Sequence, residues 1–334
     1  MNSGRVRVTT GGRIHFGFLN LSLAQDRLYG GIGLSVREPT TTVVAEPIDD
    51  SGDAPTIVCS HSTAHEHATR AVDILNLDSV SVNVESALPR HAGLGSGTQL
   101  ALTTLTAVAN AYDQPPQPRE NAPTLGRGGR SGIGVGTFET GGFIIDGGHS
   151  TARFTIDRPS DGSWAVPPVI TRQRIPDSWR FLLLIPDVDP GRSGTEEEAS
   201  MRSVIKQASP DIADRIAGTV MRKLLPAIAT ENAEQFGTAV KTIGRLNGRW
   251  YTDEQGGVYR PPAGELVASL NESSSCYGAG QSSWGPTVYG ITDVEHAEAA
   301  RDAGQHALDA AGVDGNVRVV RGQNDGVTVK QLES

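Results

Sequence analysis

Residues 88–99 read Leu88-Pro89-Arg90-His91-Ala92-Gly93-Leu94-Gly95-Ser96-Gly97-Thr98-Gln99 and run straight into an alanine- and leucine-rich helical pattern. That pattern, Leu100 to Tyr112, stops at Gln114-Pro115-Pro116. Glycines at alternate positions let the backbone turn tightly and bring several N–H groups onto one point. Ser96 and Thr98 add hydroxyls where the helix begins. A helix start with free N–H groups and a favourable dipole is a ready anion site. The spacing is not G-x-x-x-x-G-K-[ST], and no lysine follows to act as a point charge. It is not G-x-G-x-x-G after a strand with an acidic residue ~20 positions on either. The stretch therefore reads as a third kind of phosphate loop; the alternative is a glycine-rich helix entry without a ligand.

Two more glycine-rich segments follow, far away in the chain. Residues 126–148 read GRGGRSGIGVGTFETGGFIIDGG, and residues 277–290 read YGAGQSSWGPTVYG. Each carries hydroxyls or arginines. Alone each is weak evidence; together they are expected to meet in one cleft around a polyanionic ligand.

Composition bounds the rest. The chain has 334 residues, 37% hydrophobic and 20% charged, the profile of an ordinary folded chain. Its net charge of −9 and the absence of a basic run exclude a nucleic-acid face. Lys206, Lys223, Lys241 and Lys330 are the only lysines among 29 basic residues, and arginine suits bidentate recognition of phosphate and carboxylate. Cys59 and Cys276 make no disulfide framework. No apolar run reaches the ~18 residues of a membrane span, and no signal region opens the chain, so a cytoplasmic location is expected.

Strand character is clear at Arg5–Thr9, Thr40–Ala45, Val80–Val84, Phe143–Ile145 and Ala152–Ile156, and again at Phe181–Ile185 and Val317–Val320. Helical patterns cover residues 196–208, 212–229, 233–246 and 294–311. Strands cluster before residue 160 and helices after it, which predicts an α+β chain in two parts, 1–170 and 171–334. His61, His65 and His67 invite a zinc reading, but Thr69 stands where H-E-x-x-H needs its second histidine, so a solvated helix start is the expectation.

The loop HAGLGSGTQ resembles the second motif of the GHMP small-molecule kinase superfamily. Gly278 to Pro286 resembles its third motif, and Gly12 to Gly17 stands where the first belongs. More closely, RIHFGFLNL, YGGIGLSV, RSGIGVGTFETGGFIIDGG, PGRSGTEEE and GQSSWGPTVYG, in that order, resemble the β-ribofuranosylaminobenzene 5′-phosphate synthase family, a non-kinase branch of that superfamily. The resemblance covers most of the chain. It implies a GHMP-kinase-like fold, with a ribosomal-S5-like N-terminal part and a ferredoxin-like C-terminal part, and a homodimer. It also implies a reaction: phosphoribosyl pyrophosphate joins 4-hydroxybenzoate or 4-aminobenzoate, with loss of carbon dioxide and pyrophosphate, towards a methanopterin-type pterin.

One departure from the kinase pattern is informative. Kinase members carry an aspartate that orients or deprotonates the acceptor hydroxyl, and here Gly134 holds that place. Glycine accepts no proton, so the phosphate scaffold is kept while the phosphoryl-transfer base is missing. A GHMP kinase acting on a small alcohol, and a non-catalytic phosphometabolite-binding protein, remain the alternative readings.

The synthase chemistry maps onto residue types. Departing pyrophosphate needs positive charge and N–H donors held in place beforehand. Gly93, Leu94, Gly95, Ser96, Gly97, Thr98 and Gln99 are the candidates to supply them. So are Ser131 and Gly132, and the segment Gly278, Gly280, Gln281, Ser282 and Ser283, with magnesium or another divalent ion. Asp146 is the candidate metal ligand, or else a turn residue. His15, Glu139 and Glu196 are candidates for accepting or polarising the proton of the acceptor's para substituent. Arg13, Arg130 and Arg192 suit the substrate carboxylate. Trp284 is a candidate to stack on the acceptor ring. Each has a plainer alternative: His15 as a hydrogen-bonded structural histidine, the glutamates 196–198 as a helix start, the arginines as structural ion pairs.

Overall fold

Val6, Val8 and Thr10, then Ile14 and Phe16, fall at alternate positions of β1 (Val6–Asn20), which forms one long antiparallel hairpin with β2 (Arg27–Pro47). The computed structural model describes residues 4–49, 52, 54–189 and 194–333, with the side chains of 194 and 195 excepted. Two register shifts in the hairpin, between Gly11 and Arg13 and between His15 and Gly17, re-aim the side chains around Ile14. After β3 (Ile57–Val58), α1 (Ser62–Leu75) is capped by His61 Nδ1, which accepts from Ala64 N–H. The expected helix start is there, with His61 as its cap and His65 exposed, but His67 is buried on the inner face of the helix.

β4 (Val80–Ser86) then pairs with β2, and α2 (Ser96–Ala111) follows the first glycine loop. Twelve residues of α2 are buried, which is why its sequence is small and apolar all round: it lies between the sheet and α1. The one-turn α3 (Pro118–Asn121) leads to α4 (Ile133–Thr140), β5 (Phe143–Asp146), β6 (His149–Ser150) and β7 (Val169–Gln173). The strand expected at 152–156 is absent. Ser150 C=O accepts from both Arg153 and Phe154 N–H, and this turn stacks Phe154 on His149 at 3.7 Å. The polypeptide turns because that stacking buries both rings.

The second sheet opens with β8 (Trp179–Pro186). Phe181 and Leu183 face one core and Leu182 and Leu184 another, so the strand is apolar throughout because both of its faces are covered. α5 (Gly194–Gln207) and α6 (Pro210–Thr219) follow. The single helix expected over 212–229 is instead α6, a π turn at Val220–Leu224, and α7 (Leu225–Ala229). Pro226 has no N–H for the ladder, and the helix widens just before it. α8 (Ala233–Trp250), the one-turn α9 (Thr252–Gln255) and α10 (Ala263–Glu272) precede β9 (Gly278–Gln281) and β10 (Val288–Asp293). α11 (Ala297–Ala311), β11 (Gly315–Arg321) and β12 (Thr328–Gln331) complete the described chain.

Strand order in the second sheet is β11-β8-β10-β9, all antiparallel, with α10 and α11 on one face. The first sheet runs β12-β1-β2-β4-β3, with β5 and β6 also on β2 and β7 on β5. The chain's last strand thus returns to pair with its first. One core joins the two sheets: Phe16 of β1 meets Phe236 of α8 and Tyr289 of β10 edge-on, at 5.9 and 5.1 Å. No helix among the described residues is long and apolar enough to cross a membrane.

Candidate active site

The first glycine loop ends at Gly95, whose φ of +83° places it in the left-handed region as the N-cap of α2. Thr98 and Gln99 N–H turn back to Gly95 C=O, at 3.0 Å each. Ser96 and Gly97 N–H point out of the helix end with no partner among the described residues. A cleft of ≈ 370 Å³ opens there, within the size range of small-molecule sites. Around the helix end it is lined by Arg13, Gly93, Gly95, Ser96, Gly97 and Thr98, with Arg127 and Glu197 on one side and Ser283 and Trp284 on another.

The first and third glycine-rich segments meet in close backbone contact, and the second joins them through Gln99, which donates to Gly134 O at 3.0 Å. A Cβ on Gly93 would lie 2.2 Å from Ser282 O, and one on Gly285 would lie 2.1 Å from Ala92 C. Ser282 Oγ, fully buried, donates to Gly93 O at 2.7 Å and accepts from His15 N–H at 3.1 Å. Arg13 donates through Nη1 to Gly93 O and through its main-chain N–H to Leu94 O. Burial lowers the Arg13 pKa to about 10, so it remains a cation at neutral pH.

A second, aromatic recess adjoins the cleft and shares Ser283 and Trp284 with it. His15, Phe18, Tyr251, Tyr259 and Gln281 contribute to it, with Gly244, Asn247 and Gly248 from α8. Trp284 stands edge-on to Tyr251 at 4.7 Å. Asn247 pairs with Phe18 as another strand would, accepting from its N–H at 2.7 Å and donating to its C=O at 3.1 Å.

His15 sits at the seam. Gly17 N–H donates to Nδ1 at 3.2 Å, which assigns the proton to Nε2. Nε2–H donates to Ser131 Oγ at 3.3 Å, and Ser131 Oγ donates to Asp146 Oδ2 at 3.1 Å. Asp146 is fully buried and also accepts from Gly132 N–H at 2.7 Å and Gly148 N–H at 2.9 Å. Burial, and secondarily the Arg13 charge, hold the His15 pKa well below its ordinary value. Burial raises Asp146 to about 6 against its hydrogen bonds.

Several expectations are corrected by this geometry. His15 has both ring nitrogens engaged inside the protein, so as placed it offers a substrate no free base. Asp146 organises the 131–148 loop and faces no cleft; no group of three His, Cys, Asp or Glu that would hold a metal ion occurs among the described residues. Glu139 lies at the far end of α4, gripped by Arg119 at 2.6 Å. Glu196 is exposed, and its neighbour Glu197 reaches the cleft instead. Arg130 is occupied by Glu197 and Glu198, at 2.5 and 2.6 Å, leaving no fork for a carboxylate. Arg192 lies outside the described residues. Ser131, Gly132 and Ser282 hold the loops rather than line the cleft. Leu94 is core, and Gln99 is buried between Thr10 and Gly134, accepting from Thr10 Oγ1 at 3.2 Å and donating to Gly134 O at 3.0 Å. Gly278 and Gly280 are strand residues: a Cβ on either would strike Gly237 O at 2.1 Å or Tyr289 Oη at 2.4 Å, so they are small for packing. Sequence reading missed Arg127, Glu197, Asn247 and Tyr251, which carry no local motif and are brought in by the fold.

The fold is that of the GHMP kinases. Residues 61–142 match the GHMP kinases N terminal domain. The crystal structure of homoserine kinase from Cytophaga hutchinsonii superposes with a TM-score of 0.67 at 15% identity, covering 99% of this chain and 98% of that one, a likeness of fold alone. The chain is 34% identical over 295 residues to the beta-ribofuranosylphenol 5′-phosphate synthase of Methanothermobacter thermautotrophicus, covering 86% of this chain and 88% of that protein. It is 32% identical over 336 residues to the enzyme of the same name from Archaeoglobus fulgidus, covering 97% and 99%. The chain belongs to the beta-ribofuranosylphenol 5′-phosphate synthase family.

Proposed function

We propose that the protein transfers the ribosyl 5-phosphate unit of phosphoribosyl pyrophosphate to the carboxylate-bearing carbon of 4-hydroxybenzoate, releasing carbon dioxide and pyrophosphate. The observation that carries this is the junction of two unlike recesses at Ser283 and Trp284: an anion cradle on the α2 N-terminus and an aromatic slot beside it. The relatives' name, with its ribosylphenol product, favours the hydroxy over the amino acceptor.

The residues match the chemistry. The C1–O bond to pyrophosphate breaks with its electron pair on the leaving group, and Ser96 and Gly97 N–H with nearby arginine charge stabilise that pair. The ring carbon forms the new bond to C1. The bond to the carboxylate then breaks, and its electron pair restores aromaticity as carbon dioxide leaves. The carboxylate departs as carbon dioxide, so no proton has to be removed from the ring carbon, and the proton that free pyrophosphate takes up at neutral pH comes from solvent. This suits a cleft whose single carboxylate among the described lining residues, Glu197, is already paired with Arg130. It suits a locked His15 as well. No group of three His, Cys, Asp or Glu that could hold a metal ion occurs among the described residues, and a divalent cation would enter chelated by the pyrophosphate, as magnesium commonly does with phosphates.

The test is to incubate the protein with phosphoribosyl pyrophosphate, magnesium and carboxyl-labelled 4-hydroxybenzoate or 4-aminobenzoate, and to measure labelled carbon dioxide and pyrophosphate. Stoichiometric release of both is expected. ATP consumption with a small alcohol, and no carbon dioxide from either benzoate, would overturn the reading.

A further inference from the structure

The first loop lacks the lysine that gives a Walker-type cradle its point charge, yet the folded cleft contains a cation in an equivalent place. Arg127 reaches over the first turn of α2: a Cβ on Gly97 would lie 3.0 Å from its Nη1 and 3.3 Å from its Cζ. Gly97 is therefore small where the guanidinium passes. The arginine is launched from a fixed backbone. Its N–H donates to Ala122 O at 2.8 Å, and its C=O accepts from Trp164 Nε1 at 2.9 Å.

Two neighbouring arginines are committed, Arg13 to Gly93 O and Arg130 to two glutamates. The Arg127 side chain has no hydrogen-bond or ion-pair partner among the described residues, and its Nε is buried without one. Burial first, and then the Arg70 charge, lower its pKa, with Asp161 and Glu197 acting the other way. A guanidinium whose Nε is buried without a partner, beside two free helix N–H groups, is incomplete without an anion.

We propose that Arg127 is the phosphate-reading cation of the cradle, binding the pyrophosphate group seated on Ser96 and Gly97 N–H. It does from a distant loop what a following lysine does elsewhere. This rests on the proposed reaction for its substrate, but its test does not depend on turnover.

The experiment is calorimetric titration of inorganic pyrophosphate with magnesium into wild type, Arg127→Met and Arg127→Lys, together with steady-state kinetics. Arg127→Met is expected to weaken pyrophosphate binding about ten-fold or more, as loss of a charge-assisted contact does. The KM for phosphoribosyl pyrophosphate should rise in parallel while the KM for the benzoate stays put. Arg127→Lys should recover part of the affinity. Should Arg127→Met melt well below wild type, Arg127→Gln, uncharged but still an amide donor, replaces it. Wild-type pyrophosphate affinity in either folded, uncharged variant overturns the assignment. A wild type that releases no carbon dioxide overturns the proposed reaction instead, and leaves the pyrophosphate titration readable.

Discussion

Ser282 Oγ donates to the carbonyl of Gly93 at 2.7 Å, across 189 residues of sequence. Through that bond the C-terminal half fixes the entry to α2, and the same oxygen accepts from the main chain of His15. Loss of the hydroxyl leaves the His15 N–H buried without its acceptor and removes one of the two donors to Gly93 O, which keeps Arg13. Ser282→Ala is expected to destabilise the fold by about 1–3 kcal/mol and to raise the KM for phosphoribosyl pyrophosphate. Urea melts and initial rates check both; an unchanged melt would show that water replaces the hydroxyl.

Trp284 belongs to both recesses and stands edge-on to Tyr251. Trp284→Ala should raise the benzoate KM by roughly 5- to 30-fold, the scale of losing one large aromatic contact. A benzoate KM equal to that of wild type would place the acceptor elsewhere.

Gly134 packs against Thr98, where a Cβ would lie 3.0 Å from Thr98 Cγ2. Gly134→Asp must push α4 away from α2 and set a carboxylate beside the cradle. Turnover of phosphoribosyl pyrophosphate should fall about ten-fold or more by repulsion, with no ATP-dependent phosphorylation gained. Gain of kinase activity would count against the synthase reading.

Acid should destabilise the protein. Burial pushes His67 and His149 down to about 4, and His15 well below its ordinary value. The unfolded chain takes up these protons near pH 6.5, so stability falls as pH falls through that window, by on the order of 2 kcal/mol per histidine between pH 7 and 5. Asp146 works the other way: raised to about 6, its contribution is lost as pH rises from about 4 to 6. Three groups outweigh one. Urea midpoints at pH 7 and 5 test the sign, and His149→Gln should flatten the slope.

The glycine loop and its helix were legible because their signal is local: turn residues, then a small apolar run, within one stretch. The five spaced segments likewise carried the fold class. Side-chain roles were not legible, since they depend on register and on contacts between distant segments. Nothing near Glu196, Glu197 and Glu198 in the sequence says which faces the cleft; the phase of α5 decides it. Asp146 looked like a metal ligand because its backbone donors, Gly132 and Gly148, meet it only after β5 pairs with β2. Arg127 was hidden by being one arginine among many.

The pairing of Thr328–Gln331 with Val6–Thr9 has a consequence for how this chain is made and cut. A ribosome delivers the outermost strand of the first sheet last, so until then β1 presents a bare, valine-rich edge to any neighbour. Split at residue 170, the N-terminal fragment would lack that cover permanently and would also lose Phe236 and Tyr289 from around Phe16. The two halves are expected to behave as one folding unit, so that separate expression of either yields aggregate rather than a domain.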